Sequence, residues 1–522
     1  MIHQGDEVSG DIRLSAEVAV VGSGAGGATI AKELSEAGRK VVVLEAGRHF
    51  TREDFNLRMD YAFVNMYWYG GQVMTLGSPV FMLPQGKTVG GTTTINSGTC
   101  FRMPHRVLKR WHLDHGLWEI TAEELELYYG AVEEYLFVQK GDPEVMGRNA
   151  HLFLEGARKM GLSGGILARN AKDCEGYGVC CFGCPSDAKQ SANVSYIPDA
   201  VRAGCEVYTG CIVEEIVVRG GRAAGVRGRF PRGGRKSPPG PRIEVEADVV
   251  VLAAGSLHTP RLLQVQGLCN SSGQVGRNLT IHPCNGTIAI MPEKLGNPKG
   301  IPQATYVDEF ADDGIMLEGG TTPPLGIVMG VPYKGRRLAE FMLQYPNFGI
   351  FGGMLSEHCS TGKVIPHPRD RSRHLIFYSL KSEDVKKFKF MTELMAEIWF
   401  SLGAKSVITP TMSFPEMRPS ELANFRRLKA RASDYAAASA YHPLGTCRMG
   451  SDPESSVVRH TGETWEVENL FICDGSVVPT SLGVNPQMTI FALAMRCAGF
   501  VDDRLETSAG RLPDRTSGKH GH

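Results

Sequence analysis

The segment EVAVVGSGAGGATIAKELSEAGRKVVVLEAG, residues 17–47, constrains the fold more than any other part of the chain. A valine-rich run leads into Gly22, Gly24 and Gly27, which have the spacing G-x-G-x-x-G, and a helical pattern and a second apolar run follow. In such a unit the first glycine allows a tight turn, the second lets the backbone approach a pyrophosphate, and the third lets the helix pack on the strand. The sequence predicts a βαβ unit of the Rossmann type that binds a dinucleotide.

Glu45 ends the second apolar run, 18 residues after Gly27. A carboxylate there can accept hydrogen bonds from the ribose hydroxyls of an adenosine, and it repels a 2′-phosphate. We therefore expect FAD or NAD rather than NADP. Residues 465–500 return to a strand, turn and helix pattern. A chain whose two ends build one sheet suits FAD, because this large cofactor extends through the protein.

The composition excludes several classes of function. Lys and Arg total 56 and Asp and Glu total 56, so the net charge of zero gives no field that attracts nucleic acid. The N-terminus lacks a basic region followed by a long apolar run, so we expect no signal peptide and no transmembrane segment. Thirteen cysteines without regular spacing fit reduced thiols better than a disulfide framework. We predict a cytoplasmic protein, and leave peripheral membrane association open.

Other segments have the periodicity of helices or strands. Residues 120–137, 145–161 and 383–402 are predicted helices, and the segments 205–218 and 242–256 are each predicted to form two strands. The basic Gly/Pro-rich residues 227–241 are predicted to form a loop between strands.

Four more segments carry a resemblance to a known family. They are GKTVGGTTTINSGT (86–99), AAGSLHTPRLLQVQG (253–267), YHPLGTCRMG (441–450) and NLFICDGSVVPTSLGVNPQMTIFALAMR (469–496). Together with the N-terminal βαβ unit, and in this order, they resemble the glucose–methanol–choline (GMC) oxidoreductases, flavoenzymes that oxidise alcohols. Gln264, Gln266 and Cys100 depart from the family pattern, and residues 285–437 carry no matching segment.

The resemblance implies an α/β architecture in which a Rossmann-like FAD-binding domain carries an inserted cap built on an antiparallel sheet. The FAD-binding domain is expected over residues 1–284 and 438–505, and the substrate-binding cap over 285–437. Residues 506–522 have too little apolar content to fold, so we predict a disordered tail.

The resemblance also implies which residues meet the cofactor. The loop after residue 86 would line the flavin, one strand would meet the adenine, and two later segments would pass the pyrophosphate and the ribityl chain. These residues are Gly90, Gly91, Thr92, Asn96, Val213, Ala254, Gly255, Asp474 and Gly475. The N-terminus of the last helix, at Pro486, would also point at the flavin. The 86–99 segment contains no histidine, so we expect no covalent flavin link there.

Two residues are the predicted catalytic pair. His442 matches the active-site histidine of the family, and a neutral imidazole suits a base that removes a hydroxyl proton near neutral pH. Asn485 precedes Pro486, which suits the first position of a helix, so Asn485 is predicted at the N-cap. Its carboxamide would either cap the helix or hold the substrate oxygen beside His442, and we favour the second. Glu357 could supply the cap carboxylate found in some relatives, although an ordinary surface glutamate is the preferred interpretation.

The segment CEGYGVCCFGCPSDAK, residues 174–189, is rich in cysteine. Cys174, Cys180 and Cys184 could hold an iron–sulfur cluster, and the segment resembles one that surrounds a [3Fe-4S] cluster in certain sugar dehydrogenases of the family. It equally resembles a segment of long-chain alcohol oxidases that folds over the FAD. A zinc site with Cys181 as fourth ligand, or a disulfide, is a further alternative.

The sequence therefore predicts FAD-dependent oxidation of a small-molecule alcohol, with hydride transfer to flavin N5. The resemblance implies a sizeable apolar or cyclic alcohol as the substrate. The sequence does not identify that alcohol, and it does not show whether oxygen, a quinone or a redox protein accepts the electrons. A lyase that keeps FAD without net redox chemistry, and an electron-transfer subunit, are the alternatives.

Overall fold

The computed structural model describes residues 1–233, 239–296, 299–435 and 438–508. Its strands are β1 (Ile2–His3), β2 (Ile12–Val21), β3 (Val41–Leu44), β4 (Phe81–Met82), β5 (Val138–Lys140), β6 (Gly164–Ile166), β7 (Ala168–Asn170), β8 (Glu206–Tyr208), β9 (Ile212–Arg219), β10 (Arg222–Arg229), β11 (Arg242–Leu252), β12 (Cys284–Ile290), β13 (Thr305–Val307), β14 (Ile315–Gly319), β15 (Phe348–Leu355), β16 (Lys363–His367), β17 (Asp370–Phe377), β18 (Ser406–Ile408), β19 (Glu416–Met417), β20 (Ala438–Ser439) and β21 (Leu470–Ile472).

Its helices are α1 (Ala25–Glu36), α2 (Met59–Met66), α3 (Thr92–Ile95), α4 (His105–His115), α5 (Ala122–Tyr135), α6 (Arg148–Lys159), α7 (Tyr196–Arg202), α8 (Gly255–Gln266), α9 (Pro324–Gly330), α10 (Gly335–Met342), α11 (Ser382–Ser401), α12 (Leu422–Arg427) and α13 (Gln487–Ser508). Short 3₁₀ turns connect several of these elements.

The first sheet has the strand order β1-β8-β3-β2-β11-β10-β9, and β21 pairs with the C-terminal end of β11. The parallel strands of this sheet are β1, β8, β3, β2, β11 and β21. Strands β10 and β9 form an antiparallel edge. The valine-rich runs of β2, β3 and β11 are buried over their C-terminal halves, as parallel strands covered on both faces require. The α/β fold class with a Rossmann-like sheet is confirmed.

The second sheet is almost wholly antiparallel, with the order β19-β18-β12-β15-β14-β13-β6. Strand β20 pairs with β12, and β4 joins β20 in parallel. Most of these strands come from residues 285–437, but β4, β6 and β20 lie outside that range. Helix α11 packs on this sheet with Phe388, Met391 and Trp399 in the core between them.

The structure corrects some expectations about single elements. Residues 242–252 form one long strand instead of two, because β11 continues from its pairing with β10 into its pairing with β2 and β21. Helix α13 extends to Ser508, so the first residues of the predicted tail are helical, and Leu505 is buried in the core. Residues 234–238 of the predicted loop and residues 509–522 of the tail lie outside the described part of the chain.

Other expectations agree with the structure. The segment 205–218 forms the two strands β8 and β9, and the three predicted helices correspond to α5, α6 and α11. In the described part of the chain, each helix is too short or too polar to cross a bilayer.

The two ends of the chain meet at Gly26 in helix α1. A methyl group on Gly26 would overlap the backbone carbonyl of Cys473, directly after β21. Gly27 is equally restricted, because a methyl group there would overlap the carbonyl of Gly22 and contact Ala253. These glycines let α1 approach the central strands closely enough to bring the N-terminal turn beside the C-terminal segment.

We predict that Gly26→Ala destabilises the protein by about 1–3 kcal/mol, the usual cost of forcing a methyl group into a packed core. Chemical denaturation followed by circular dichroism measures this difference. Gly130→Ala, in helix α5 with open space around the added methyl group, is the matched control and should be neutral or stabilising. Equal effects of the two substitutions would contradict this interpretation of the contact.

Candidate active site

A cavity of about 910 Å³ lies between the two sheets. The first sheet contributes the ends of β2, β3 and β11, and the second contributes residues of β12, β14 and β15. This volume is near the upper end of the range for small-molecule and cofactor sites. Of the predicted residues, those that line the cavity are Gly22, Gly24, Glu45, Gly91, Thr92, Asn96, Val213, Ala254, Gly255, His442, Asp474, Gly475, Asn485 and Pro486.

The glycine turn has the geometry that dinucleotide binding requires. Gly22 has φ of 100°, a conformation that glycine adopts readily, and it turns the chain from β2 toward α1. The nearest atom to a methyl group built on Gly24 is 4.0 Å away, and the space beside Gly255 is open within 4 Å. Backbone is therefore exposed to the cavity at the start of α1 and of α8, which is where a pyrophosphate fits.

Gly27 and Gly90 do not line the cavity, and both have structural roles. Gly27 lets α1 pack on the sheet, as the motif predicts. The backbone N–H of Gly90 donates to Ser23 Oγ at 3.1 Å. Ser23 Oγ in turn donates to Glu45 Oε2 at 2.6 Å. This buried serine, which the sequence did not single out, joins the glycine turn, the acidic residue and the loop before α3.

The Glu45 carboxylate is fully buried at the end of β3. It accepts from the backbone N–H groups of Ser23 at 2.9 Å and Gly47 at 2.7 Å, in addition to the Ser23 hydroxyl. Burial raises the pKa of Glu45 above its ordinary value, and these three donors oppose that shift. The remaining acceptor capacity of the carboxylate faces the cavity, where ribose hydroxyls would lie.

Asp474 connects two segments that are far apart in the chain. Its Oδ2 accepts from the Gly255 N–H at 2.8 Å and from Thr259 Oγ1 at 2.6 Å, and its Oδ1 accepts from the Ser476 N–H at 2.8 Å. The carboxylate therefore fixes the start of α8 to the segment after β21. These contacts use three acceptor positions of the carboxylate, as at Glu45, and Asp474 also lines the cavity.

Asn96 contacts the start of the last helix. Its Nδ2 donates to Gln487 Oε1 at 2.8 Å, and Gln487 Nε2 donates to the Thr99 carbonyl at 2.7 Å. The loop after α3 is thereby bound to the N-terminus of α13. Both predicted flavin-facing segments thus belong to one hydrogen-bonded unit.

His442 lies in the cavity wall next to a second histidine, His282, which the sequence analysis missed. The two Nδ1 atoms are 3.2 Å apart, and the rings are nearly perpendicular at 79°. His282 Nε2 accepts from the backbone N–H groups of Leu482 and Gly483, both at 3.0 Å. Burial lowers the pKa of His442 to about 4 and that of His282 well below its ordinary value, so both rings are neutral near pH 7.

Asn485 does not cap helix α13. The Pro486 carbonyl accepts the first helical hydrogen bond, from the Ile490 N–H at 2.9 Å, so Pro486 is the N-cap and Asn485 precedes it. The predicted positions are therefore shifted by one residue. The Asn485 side chain is turned away from the helix because its Nδ2 donates to Glu318 Oε2 at 3.3 Å, while its Oδ1 is buried without a described partner.

Glu318 is a carboxylate that faces the cavity from the second sheet, and the sequence analysis did not identify it. It lies on β14 and is 6% exposed, and its Oε1 has no hydrogen-bond partner among the described residues. Burial raises its pKa to about 7. Its neighbours across the sheet are Gly352 and, one strand further, Gly286, whose missing side chains leave space in the cavity floor.

Glu357 is not a surface residue, which corrects the sequence-based interpretation. It is 3% exposed and lies behind the cavity, where its oxygens accept from the Ile281 N–H, Ser481 Oγ and Tyr378 Oη. Burial raises its pKa to about 7. Its contacts join the segment before β12 to the segment before α13, and they give it a structural role.

The cysteine-rich segment divides into two sides. Cys181 faces the large cavity, whereas Cys174, Cys180 and Cys184 surround a separate cavity of about 20 Å³. That volume has room for about one water molecule. Each of the thirteen cysteines is a free thiol. Within the described ranges, no group of His, Cys, Asp or Glu side chains is arranged to hold a metal ion.

Two buried cations occupy the cysteine side instead. Arg169 Nη2 donates to Cys180 Sγ at 3.2 Å, and Arg169 Nη1 lies 3.8 Å from Cys174 Sγ. Lys189 Nζ donates to the carbonyls of Thr94, Asn96 and Cys180 at 2.8–2.9 Å. The residues present therefore do not fit the predicted [3Fe-4S] cluster or a zinc ion. The alternative of a segment packed over the cavity agrees with these contacts.

The comparisons with known proteins agree with this site. Two models described as GMC oxidoreductase match residues 63–284 and 361–494, and a model described as NAD(P)-binding Rossmann-like domain matches residues 20–75. An uncharacterized GMC-type oxidoreductase of Mycobacterium tuberculosis is 35% identical over 92% of this chain and 75% of its own length. The chain belongs to the GMC oxidoreductase family. It is an oxidoreductase.

Other family members with described activities are more distant. A long-chain-alcohol oxidase of Arabidopsis thaliana is 31% identical over 94% of this chain and 68% of its own length. A 2-methyl-1,2-propanediol dehydrogenase of Mycolicibacterium austroafricanum is 28% identical over 94% of this chain and 95% of its own. Pyridoxine 4-oxidase from Mesorbium loti has the same fold, with a TM-score of 0.72, 19% identity and coverage of 93% and 99% of the two chains.

We predict that Lys189→Met destabilises this GMC protein by about 2–4 kcal/mol, because it leaves several buried carbonyls without a donor. Thermal and chemical unfolding measure this loss. Lys109→Met, on the exposed face of α4, is the control and should change stability by about 0.5 kcal/mol or less. A Lys189 variant as stable as the control would show that the ammonium group does not hold the cysteine-rich segment in place.

Proposed function

We propose that the protein is an FAD-dependent enzyme that oxidises an alcohol to an aldehyde or ketone. The observation that carries this proposal is the convergence of His442, Asn485 and Glu318 on one cavity whose other end has the dinucleotide-binding turn. Alcohol oxidases and dehydrogenases among the relatives support the same reaction class.

FAD fits the residues of the cavity. The open backbone at Gly24 and Gly255 would bind the pyrophosphate, and Glu45 would bind the ribose of the adenosine beside Val213. The loop at Gly91 and the N-terminus of α13 would hold the flavin end. When bound, FAD supplies the two-electron acceptor that alcohol oxidation requires.

The end of the cavity at the second sheet indicates the substrate class. Its walls are mainly apolar, and the lining residues there include Ile288, Ile350, Phe351, Met354 and Ile408. Asn485, Glu318 and His442 bring an amide, a carboxylate and an imidazole to this side. Other polar residues, such as Asn285 and Thr321, also line it. Burial of a second carboxylate beside Glu318 would be unfavourable, so we expect a neutral alcohol with an apolar skeleton rather than a hydroxy acid.

His442 and Asn485 would hold the alcohol oxygen. The Nδ1 atom of His442 contacts His282, which leaves Nε2 for the substrate. Asn485, whose Oδ1 has no described partner, lines the same part of the cavity. Placing the hydroxyl between two fixed side chains aligns its carbon for oxidation and removes the entropy cost of orientation from the reaction.

The proposal predicts that anaerobic addition of a neutral primary or secondary alcohol bleaches the flavin absorption of the holoenzyme. His442→Ala should lower the rate of bleaching by about 100–10,000-fold, the range expected for loss of a proton-handling group. Stopped-flow absorption spectroscopy measures the rate. His460→Ala, at a histidine that contacts Phe500 away from the cavity, is the control and should keep the rate. Turnover without bleaching would instead favour the lyase, and an unchanged His442→Ala rate would favour an electron-transfer subunit.

A further inference from the structure

The hydrogen bonds of His282 restrict where its proton can lie. Its Nε2 accepts from two backbone N–H groups, those of Leu482 and Gly483, so Nε2 carries no proton. The ring is fully buried at 0% exposure and neutral. A neutral imidazole has one N–H, so the proton of His282 is on Nδ1.

This proton determines the state of His442. His282 Nδ1–H points at His442 Nδ1 over 3.2 Å, so His442 Nδ1 is the acceptor and carries no proton. The proton of the neutral His442 ring is therefore on Nε2, the nitrogen left for the cavity. A second proton would have to enter at Nδ1, directly opposite the N–H of His282, and that arrangement would lose the hydrogen bond and place two donors face to face.

We propose that His282 is a positioning residue that keeps His442 as a hydrogen-bond donor to the alcohol oxygen, and that the Glu318 carboxylate takes the hydroxyl proton. This inference rests on the proposed function, and it differs from the sequence-based assignment of His442 as the base. Glu318 is a catalytic residue in this scheme, and Asn485 keeps its carboxylate in place through the 3.3 Å hydrogen bond.

The substrate O–H bond breaks, and its proton goes to Glu318, which becomes a neutral carboxylic acid. The electron pair stays on the substrate oxygen and forms the C=O bond as the α-hydrogen leaves the carbon as hydride. The acceptor of that hydride is the one that the proposed function supplies. His442 Nε2–H stabilises the negative charge that develops on the oxygen.

The surroundings of Glu318 suit this role. Burial is the main cause that raises its pKa to about 7, and the hydrogen bond from Asn485 opposes it. Burial and the charge of Glu318 raise the pKa of the Cys284 thiol on β12. Tyr441, whose pKa burial raises to about 12, and the neutral His442 and His282 are further titratable groups of this wall. A carboxyl group with a pKa near neutral is balanced between accepting a proton and returning it to water after turnover.

Nitrogen-15 NMR of the holoenzyme labelled at histidine tests the tautomer directly, whatever the enzyme oxidises. We expect His442 to show a protonated Nε2 and an unprotonated Nδ1. His112, whose Nε2 donates to the Ile120 carbonyl at 2.8 Å, is an internal reference for that tautomer. His282→Gln places an amide that can accept from Leu482 and Gly483 and donate to His442, so it should keep the tautomer, whereas His282→Leu should give a mixture.

The pH dependence of kcat/KM tests the proton acceptor. If Glu318 takes the proton, its ionised form is the active one, and kcat/KM should rise with pH through about 7. Glu318→Gln should remove this rise and lower kcat by about 100–10,000-fold. If His442 were the base, kcat/KM would instead rise near pH 4, because burial lowers the pKa of His442 to about 4.

A further variant reverses the direction of the hydrogen bond between residue 282 and His442. In His282→Glu the carboxylate accepts from His442 Nδ1–H, so Nε2 of His442 loses its proton and becomes a base. Glu318→Gln lowers kcat in the enzyme with the native His282. Added to His282→Glu, the same substitution should lower kcat by a factor about tenfold smaller. His282→Gln should recover most of the rate that His282→Leu loses.

Two results would overturn the inference. One is an NMR spectrum with the His442 proton on Nδ1, and the other is a Glu318→Gln enzyme that keeps both its rate and the rise near pH 7. Failure of the proposed function is a separate outcome, because absence of flavin bleaching by any alcohol would leave the tautomer measurement valid.

Discussion

The close approach of helix α1 to the central strands is the constraint on which the site depends. Gly26 and Gly27 leave no room for a side chain against the segments after β21 and β11. Because these segments are far apart in the chain, their contact brings the N-terminal glycine turn and the C-terminal active-site segment into one cavity. Asp474 stabilises this junction by binding Gly255 and Thr259 at the start of α8.

Hydrogen bonds between distant segments then fix the interior of the cavity. Ser23 joins Glu45 to the Gly90 loop, Asn96 joins that loop to Gln487, and Lys189 joins it to the cysteine-rich segment. Such groups are costly to bury unless they are paired. The groups that form these bridges are paired, whereas Asn485 Oδ1 and Glu318 Oε1 at the other end have no described partner. Unpaired buried polar atoms of this kind mark the place where a substrate would complete the hydrogen bonding.

Desolvation opposes the buried charges at both ends, but their partners differ. At the cysteine-rich segment burial lowers the pKa of Lys189, while sulfur atoms and carbonyls around Arg169 and Lys189 oppose the effect of burial. At the second sheet the Asn485 amide is the one partner of Glu318 among the described residues, and burial raises its pKa to about 7. The same physical effect gives a structural contact in one place and a titratable carboxylate in the other.

Local sequence patterns predicted the Rossmann-like unit, because it depends on residues close together in the chain. The resemblance to the family predicted that His442 and Asn485 lie in the active site. Gly22, Gly24 and Glu45 belong to one βαβ unit, and its geometry follows from their spacing. The family, too, follows from short segments that keep their order.

Tertiary structure alone decided the chemistry of the other end. Glu318 and Asn485 are 167 residues apart, and His282 and His442 are 160 residues apart. No periodicity or local motif connects such pairs, because the register of β14 in the second sheet and the position of the segment before α13 set their distance. The wrong interpretation of Glu357, and the alternatives left open for the cysteine-rich segment, have the same origin. Whether a carboxylate is exposed, or a thiol faces a metal or an arginine, depends on which distant residues are packed against it.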